Sequence, residues 1–296
     1  MPYRRRRRRA FGSPVRRASG MPLGRGGAGK LRLLIMLGIA GFALMTYFGQ
    51  RQENPFTGEM QHVNITMEQE IALGLQSAPE MAAQHGGFSY DERKARNVER
   101  IGRRLLTRAF QGELPYPFEF HLLADTETVN AFALPGGQIF ITSALYDRLE
   151  TEGQVAGVLG HEIGHVIERH GAEHLAKAQL TQSLTGAAVI ATYDPGDPNS
   201  RAAAGVAMAV GQLVNMHYGR EDELESDTWG VALTGRAGYD PRGMVRVMEI
   251  LAEAAGKTGR QPEFFSTHPN PDRRIERILE AIETEYPQGL PGGLTP

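Results

Sequence analysis

The sequence predicts an α+β protein, mainly α-helical with a small β-sheet or hairpin, preceded by a single N-terminal transmembrane helix. Three patterns predict it. Apolar residues recur at helical spacing in segment after segment between Thr66 and Tyr286. Within Thr128–Thr142, two apolar β-type runs flank Pro135-Gly136-Gly137, which is a hairpin signal. And the chain is uncharged from Leu33 to Gln50, between Arg32 and Arg51, which reaches the lower end of the roughly 17–25 residues that cross a bilayer.

In chain order, residues 1–32 hold eleven of the 32 basic residues and no acid, leaving 21 basic against 34 acidic residues beyond them. This Arg-, Gly- and Pro-rich tail lacks apolar periodicity and reads as disordered. An Arg run is able to bind nucleic acid, but no aromatic interleaving accompanies it, so a topogenic role is favoured over a nucleic-acid partner. Residues 33–50 are then an uncleaved anchor in the lipid bilayer, with Tyr47 and Phe48 at an interface and no A-x-A cleavage site after them. The positive-inside rule keeps the tail cytoplasmic and places the body beyond the plasma membrane, single-pass. Residues 51–65 form a polar linker, and residues 66–286 form one domain.

Thr66 caps a helix carrying Ile71, Leu73 and Leu75, and a second runs from about Asp91 to Phe110. Phe118–Leu123 alternates as a strand. Pro135 makes the first hairpin arm an edge or its end, and an exposed edge at Asn130, Ala131, Phe132 and Ala133 suits an extended peptide that pairs by β-augmentation. A short helix over Ser143–Leu149 leads into a long one from Gln154 to His170. Residues 183–214 are Ala-, Gly- and Val-rich, broken at Asp194–Pro198; neither half is long enough to span a membrane, so packed helices are expected. Acids crowd the start of a helix at Arg220–Leu233, and a last pair follows at Pro241–Ala255 and Arg273–Tyr286, around the loop Thr267–Pro271. Residues 287–296 read as a flexible tail.

The chemistry lies in His161-Glu162-Ile163-Gly164-His165. At a spacing of four on a helix, His161 and His165 share a face and are placed to ligate one zinc ion, with Glu162 beside it to take a proton from water. With nine His in the chain, a chance occurrence of this pattern is on the order of 0.02 per chain. Cysteine is absent, so His and carboxylate must complete the site. The extended H-E-x-x-H-x-x-G-x-x-H form fails at Glu168 and Gly171, which leaves a distant carboxylate of the acidic helix 221–227; Glu221, Glu223 and Glu225 all remain open on this ground.

Leu159–His165 with His170, then Glu223-Leu-Glu-Ser-Asp227, Gly238-Tyr-Asp-Pro241 and Thr267-His-Pro with Arg274-Ile275 resemble the HtpX-like and CAAX prenyl protease family of zinc metallopeptidases, the gluzincins. The hairpin at Asn130–Gly137 belongs to the same resemblance, which covers roughly residues 66–285. It implies a zincin-type metalloprotease domain with one Zn2+ per chain, held by His161, His165 and Glu223, with Asp227 orienting a ligating His. Ser226 departs from the usual Ala and leaves both carboxylates in place. The resemblance also brings His268 near the metal, either to stabilise an oxyanion or to occupy the open position at rest, and makes Arg274 a structural or oxyanion-side group. His170 and His174 read as structural or solvated. The implied function is a membrane-anchored zinc endopeptidase acting on polypeptide substrates, misfolded or misassembled envelope or membrane proteins, with Glu162 as the base. A metal-bound chaperone or assembly factor with gated proteolysis is the competing expectation. Oligomeric state is not legible.

Overall fold

A computed structural model describes residues 25–112, 114–192, 218–258, 262–268 and 273–296. The tail through residue 24, the break at Asp194–Pro198 with the Ala/Gly/Val-rich stretch after it, and residues 269–271 of the loop beyond Thr267 lie outside the described residues.

Helix α1 (Arg25–Gly49) contains the expected span and starts inside the segment read as disordered. Once an apolar helix is nucleated, each further residue costs little, so it propagates into polar flanks. Among the described residues it is the one helix long and apolar enough to cross a membrane: Lys30–Gly49 has a mean hydropathy of 1.9, none of it buried. The linker after it is not plain coil. Strands β1 (Gln52–Glu53) and β2 (Met60–Gln61) pair antiparallel, and the Asn54 side chain ties the turn by accepting from the N–H groups of Phe56 (2.9 Å) and Thr57 (3.4 Å). Two-residue strands are too short to leave a period in the sequence.

Helix α2 (Met67–Gln84) opens with a capping box between Thr66 and Gln69, and α3 (Glu92–Ala109) is capped by Asp91 and buries Val98, Ile101, Leu105 and Leu106. A three-stranded sheet follows, β3 (Glu119–Leu123), β4 (Ala131–Leu134) and β5 (Gln138–Thr142), in the order β3-β5-β4. The fully buried β5 runs parallel to β3 and antiparallel to β4, and Gly136 and Gly137 turn the hairpin with φ of 80° and 102°, where a side chain would be strained. β4 is therefore an edge, as the hairpin predicts.

The short α4 (Ser143–Tyr146) leads to α5 (Glu152–Ile167), buried at every residue after its first. Its most extensive partner is α7 (Arg220–Arg236). The two cross closely because small residues face each other: a Cβ on Gly164 would stand 2.8 Å from Ser226 Cα, and one on Gly160 would stand 3.2 Å from Gly230 Cα. The core continues through α8 (Gly243–Thr258), α9 (Phe264–Thr267) and α10 (Arg274–Glu285).

Two expectations change. The helix of the H-E-x-x-H motif does not run to His170. It ends at Ile167, and α6 (His170–Thr192) starts afresh after Arg169, which takes the left-handed conformation at φ 56°. That conformation is unfavourable for Arg. It is offset by the buried guanidinium, which bonds Glu70 Oε1 (2.9 Å from Nε) and the Ile65 carbonyl (3.2 Å). Nor does the segment 287–296 hang free. Thr295 bridges Tyr239, and Gly153, in the first turn of α5, donates its N–H to Pro296 at 2.9 Å. Helix N-termini carry unpaired N–H groups, and this strand-like tail satisfies one.

Candidate metal centre

Because α5 is regular through its motif, His161 and His165 emerge one above the other, with their Nε2 atoms 3.1 Å apart. Helix α7 crosses at Gly164 and delivers Glu223 to the same point: Oε2 lies 3.6 Å from His161 Nε2 and Oε1 3.6 Å from His165 Nε2. His268, the residue after α9, closes the group with Nδ1 3.2 Å from Glu223 Oε1 and 3.5 Å from His161 Nε2. One donor atom from each of the four lies within 4.8 Å of every other, and all four residues are buried. Ligands held 2.0–2.1 Å from one tetrahedral ion stand roughly 3.3 Å apart, so the spacing fits a zinc-sized cation.

The far side of each imidazole is held. His161 Nδ1 lies 2.9 Å from Asp227 Oδ1, and Arg274 grips the same carboxylate with Nε and Nη2, both at 2.8 Å, while its Nη1 lies 3.0 Å from Glu223 Oε2. His165 Nδ1 lies 2.9 Å from His170 Nδ1, and His170 Nε2 lies 3.0 Å from Glu225 Oε2. Protons at His161 Nδ1, His165 Nδ1 and His170 Nε2 satisfy all three contacts and leave both inward Nε2 atoms as lone-pair donors. Tyr218 stacks on His165 with ring centroids 4.2 Å apart and on His268 at 5.5 Å, covering the cluster from outside.

Burial, helped by the charges of His161 and His268, holds His165 well below the ordinary imidazole range, in its neutral, ligating form. His268 goes the other way. Burial opposes its charge, but the carboxylates of Glu162 and Glu223 outweigh burial and raise it. Glu162 is raised by burial above the ordinary carboxylate range, against the lowering effect of His268 and His161. Burial would also raise Asp227, yet Arg274 and His161 bring it down to about 2. Both oxygens of Glu162 and Nε2 of His268 have no hydrogen-bond partner although fully buried. Such orphaned donors and acceptors are costly in a closed site, and a cation with a water beside Glu162 would satisfy them.

The structure thus brings His161, Glu162, His165, Glu223, Asp227, His268 and Arg274 together. Glu221 is exposed and Glu225 turns to His170, so Glu223 alone of the three faces the histidines. Asn130, just before the edge strand, and Ala131 and Phe132 on it are buried side chains, more enclosed than an exposed edge implies. A small void of about 10 Å³, lined by Ala133, Leu134, Pro135, His165, Gly171 and Tyr218, lies between the end of β4 and His165. Two functional neighbours escape the sequence reading. His170 is no bystander, because the helix break at Arg169 turns it back onto His165; only the unusual density of His after the motif signals it. Nothing around Tyr218 in the sequence signals its place.

Comparison with known proteins places these features in a family. The profile of Peptidase family M48 matches residues 92–282. The beta-barrel assembly-enhancing protease of Escherichia coli (strain K12) is 33% identical over 188 residues, 60% of this chain and 37% of that protein. Its counterpart in Yersinia pestis is 30% identical over 228 residues, 75% of this chain and 45% of that protein. The mitochondrial metalloendopeptidase OMA1 of Schizosaccharomyces pombe is 27% identical over 236 residues, 79% of this chain and 67% of that protein. The matched region spans less than half the length of the first two relatives.

Proposed function

The chain belongs to peptidase family M48, and on that premise we propose that it is a membrane-anchored zinc endopeptidase. The observation that carries the reading is the buried convergence of His161, His165 and Glu223 beside a Glu162 whose carboxylate has no hydrogen-bond partner. A zinc ion held by those three residues supplies a Lewis acid that polarises the scissile carbonyl and acidifies water. Glu162 takes the proton of the attacking water on its free carboxylate oxygen and passes it to the leaving amide nitrogen. Asp227 and Arg274 fix His161, and Arg274 holds the Glu223 carboxylate in place. The substrate lies extended along β4, from Asn130 to Ala133. Anchoring through residues 33–50, with the Arg-rich tail cytoplasmic and the body beyond the plasma membrane, makes misassembled envelope or membrane proteins the substrate class, in keeping with the names of the relatives. Glu162→Gln is expected to retain one zinc per chain and lose peptide cleavage by roughly 1,000-fold or more, while Glu223→Ala loses the zinc. Zinc stoichiometry with a fluorogenic unfolded substrate reads both, and undiminished cleavage by Glu162→Gln rejects the mechanism.

A second reading is favoured by His268. Its Nδ1 stands among the donors at ligand spacing, so it takes the fourth position and keeps the enzyme closed at rest, as a gated protease or an assembly factor that seldom cuts. His268→Ala should then raise basal cleavage several-fold. A fall instead assigns His268 to the oxyanion, where one donor contributes about 3–4 kcal/mol.

A further inference from the structure

The two motif imidazoles are held from behind by unlike devices. His161 leans directly on a buried carboxylate, Asp227, which Arg274 grips. Among the described residues no carboxylate pairs with the far side of His165. Its Nδ1 meets a second imidazole, His170 Nδ1, at 2.9 Å, and an acid appears only beyond that ring: Glu225 Oε2 lies 3.0 Å from His170 Nε2. His170 is buried, whereas the Glu225 side chain is 55% exposed. The contact is nonetheless no chance pose of a surface acid. One turn farther along α6, His174 Nε2 meets Asp222 Oδ2 at 2.8 Å, so α6 and α7 are locked by two pairs that run in opposite order, 170 with 225 and 174 with 222. The left-handed turn at Arg169, tied to Glu70, fixes where α6 begins and thereby where the His170 ring lies.

We propose that Glu225, acting through His170, holds the proton of His165 on its outer nitrogen and so keeps the inner one bare for the metal. The proposal rests on the reading of His165 as a zinc ligand. The contact between the two Nδ1 atoms needs one proton, and two neutral arrangements supply it. In the first, His165 Nδ1–H donates to His170 Nδ1, the His165 Nε2 lone pair faces inward, and His170 carries its proton on Nε2, aimed at Glu225. In the second, His170 Nδ1–H donates to His165 Nδ1. His165 then carries its proton on Nε2, where a cation belongs, and His170 Nε2 turns a lone pair on the Glu225 carboxylate. An ionised carboxylate only accepts, so the second arrangement sets two acceptors 3.0 Å apart. The first makes a charge-assisted hydrogen bond there instead, about twice as strong as a neutral one. The opposing pull comes from inside the site. Glu223 Oε1 at 3.6 Å and the lone pair of His161 Nε2 at 3.1 Å both favour a proton on His165 Nε2 until a cation arrives. Glu225 works against that pull across two rings. Glu225 and His170 are thus positioning residues, acting on the metal site through His165. The relay gives the buried His170 a purpose and gives Glu225, an acid open as a ligand on sequence grounds, a different one.

The deciding variant is Glu225→Gln in the full chain, because an isosteric amide at an exposed position leaves the packing intact and accepts or donates with equal ease. Glu221→Gln is the control: it removes the same charge from the same exposed turn of α7, away from His170. Zinc affinity is read by competition with a chelator. The His165 tautomer is read from histidine nitrogen resonances of the metal-free chain at about pH 8.5, some two units above the ordinary imidazole pKa of about 6.5. Glu225→Gln is expected to weaken zinc several-fold and to raise the share of His165 carrying its proton on Nε2, with the metal-free melting temperature unchanged. Glu221→Gln moves neither reading, and His170→Ala weakens zinc by roughly 10–100-fold. Unchanged affinity and tautomer in Glu225→Gln overturn the relay, and so does an equal loss of zinc in Glu221→Gln, which would make the effect one of general surface charge. A wild-type chain that takes up no zinc defeats the ligand reading instead, and the tautomer shift, read without metal, still decides the relay.

Discussion

At the residue scale the centre is a set of imidazoles whose direction is fixed from behind. Asp227 is the clearest case, because burial works against its charge and Arg274 wins. Its carboxyl sits at about 2 in the folded chain and near 3.9 when unfolded, a depressed value, so its stabilising contribution is complete above the unfolded pKa and is lost as pH falls through about 2. The size is about 2 kcal/mol at neutral pH. Asp227→Asn should lower the melting temperature of the metal-free protein at pH 6, and the gap to wild type should narrow between pH 4 and 2. A gap that does not change with pH would place the effect elsewhere. At this scale the sequence made His161, Glu162 and His165 plain, because helical spacing alone puts them on one face. Glu223 needed the resemblance, and His170 needed the turn at Arg169, a conformation imposed by Glu70 from almost a hundred residues away.

At the scale of elements, the crossing of α5 and α7 decides whether there is a site. Glu223 reaches the histidines only because Gly164 and Ser226 let the two backbones approach. Gly164→Ala puts a methyl group 2.8 Å from Ser226 Cα, and backbone must give way. The expected cost is about 1–3 kcal/mol of unfolding free energy, with weakened zinc affinity because α7 carries a ligand. Urea unfolding and a zinc competition assay check both; full affinity at reduced stability would show that the ligand geometry does not depend on this contact. The sequence located these helices well, since caps such as Thr66 and Asp91 and long apolar periods are local signals. It located β1 and β2 not at all, and it ran α5 into α6, because a two-residue strand and a one-residue left-handed break leave no periodic trace.

At the scale of the whole molecule, the apolar helix α1 stands apart from the main core and packs on α6. The main core holds no residue before Phe56, so α1 lies outside it and meets the body chiefly through α6. A chain begun at Arg51 and purified in detergent is expected to bind one zinc and unfold cooperatively; failure to bind zinc would make α1 part of the fold. What the chain does couple is the stretch just past α1. Asn54 donates to the Ile167 carbonyl at 2.8 Å and Gln61 to that of Glu168 at 2.5 Å, clasping the end of the motif helix. The sequence by itself determined the helices, the hairpin, the apolar span and the three motif residues, since each follows from neighbours within a turn or a strand. Only the tertiary structure decided which acid meets the histidines, that His268 stands among them, that Asn130–Phe132 are enclosed, and that α6 lies along α1. Those are contacts between residues far apart in the chain, set by close packing of small residues and by buried charges seeking partners, and no local pattern encodes them.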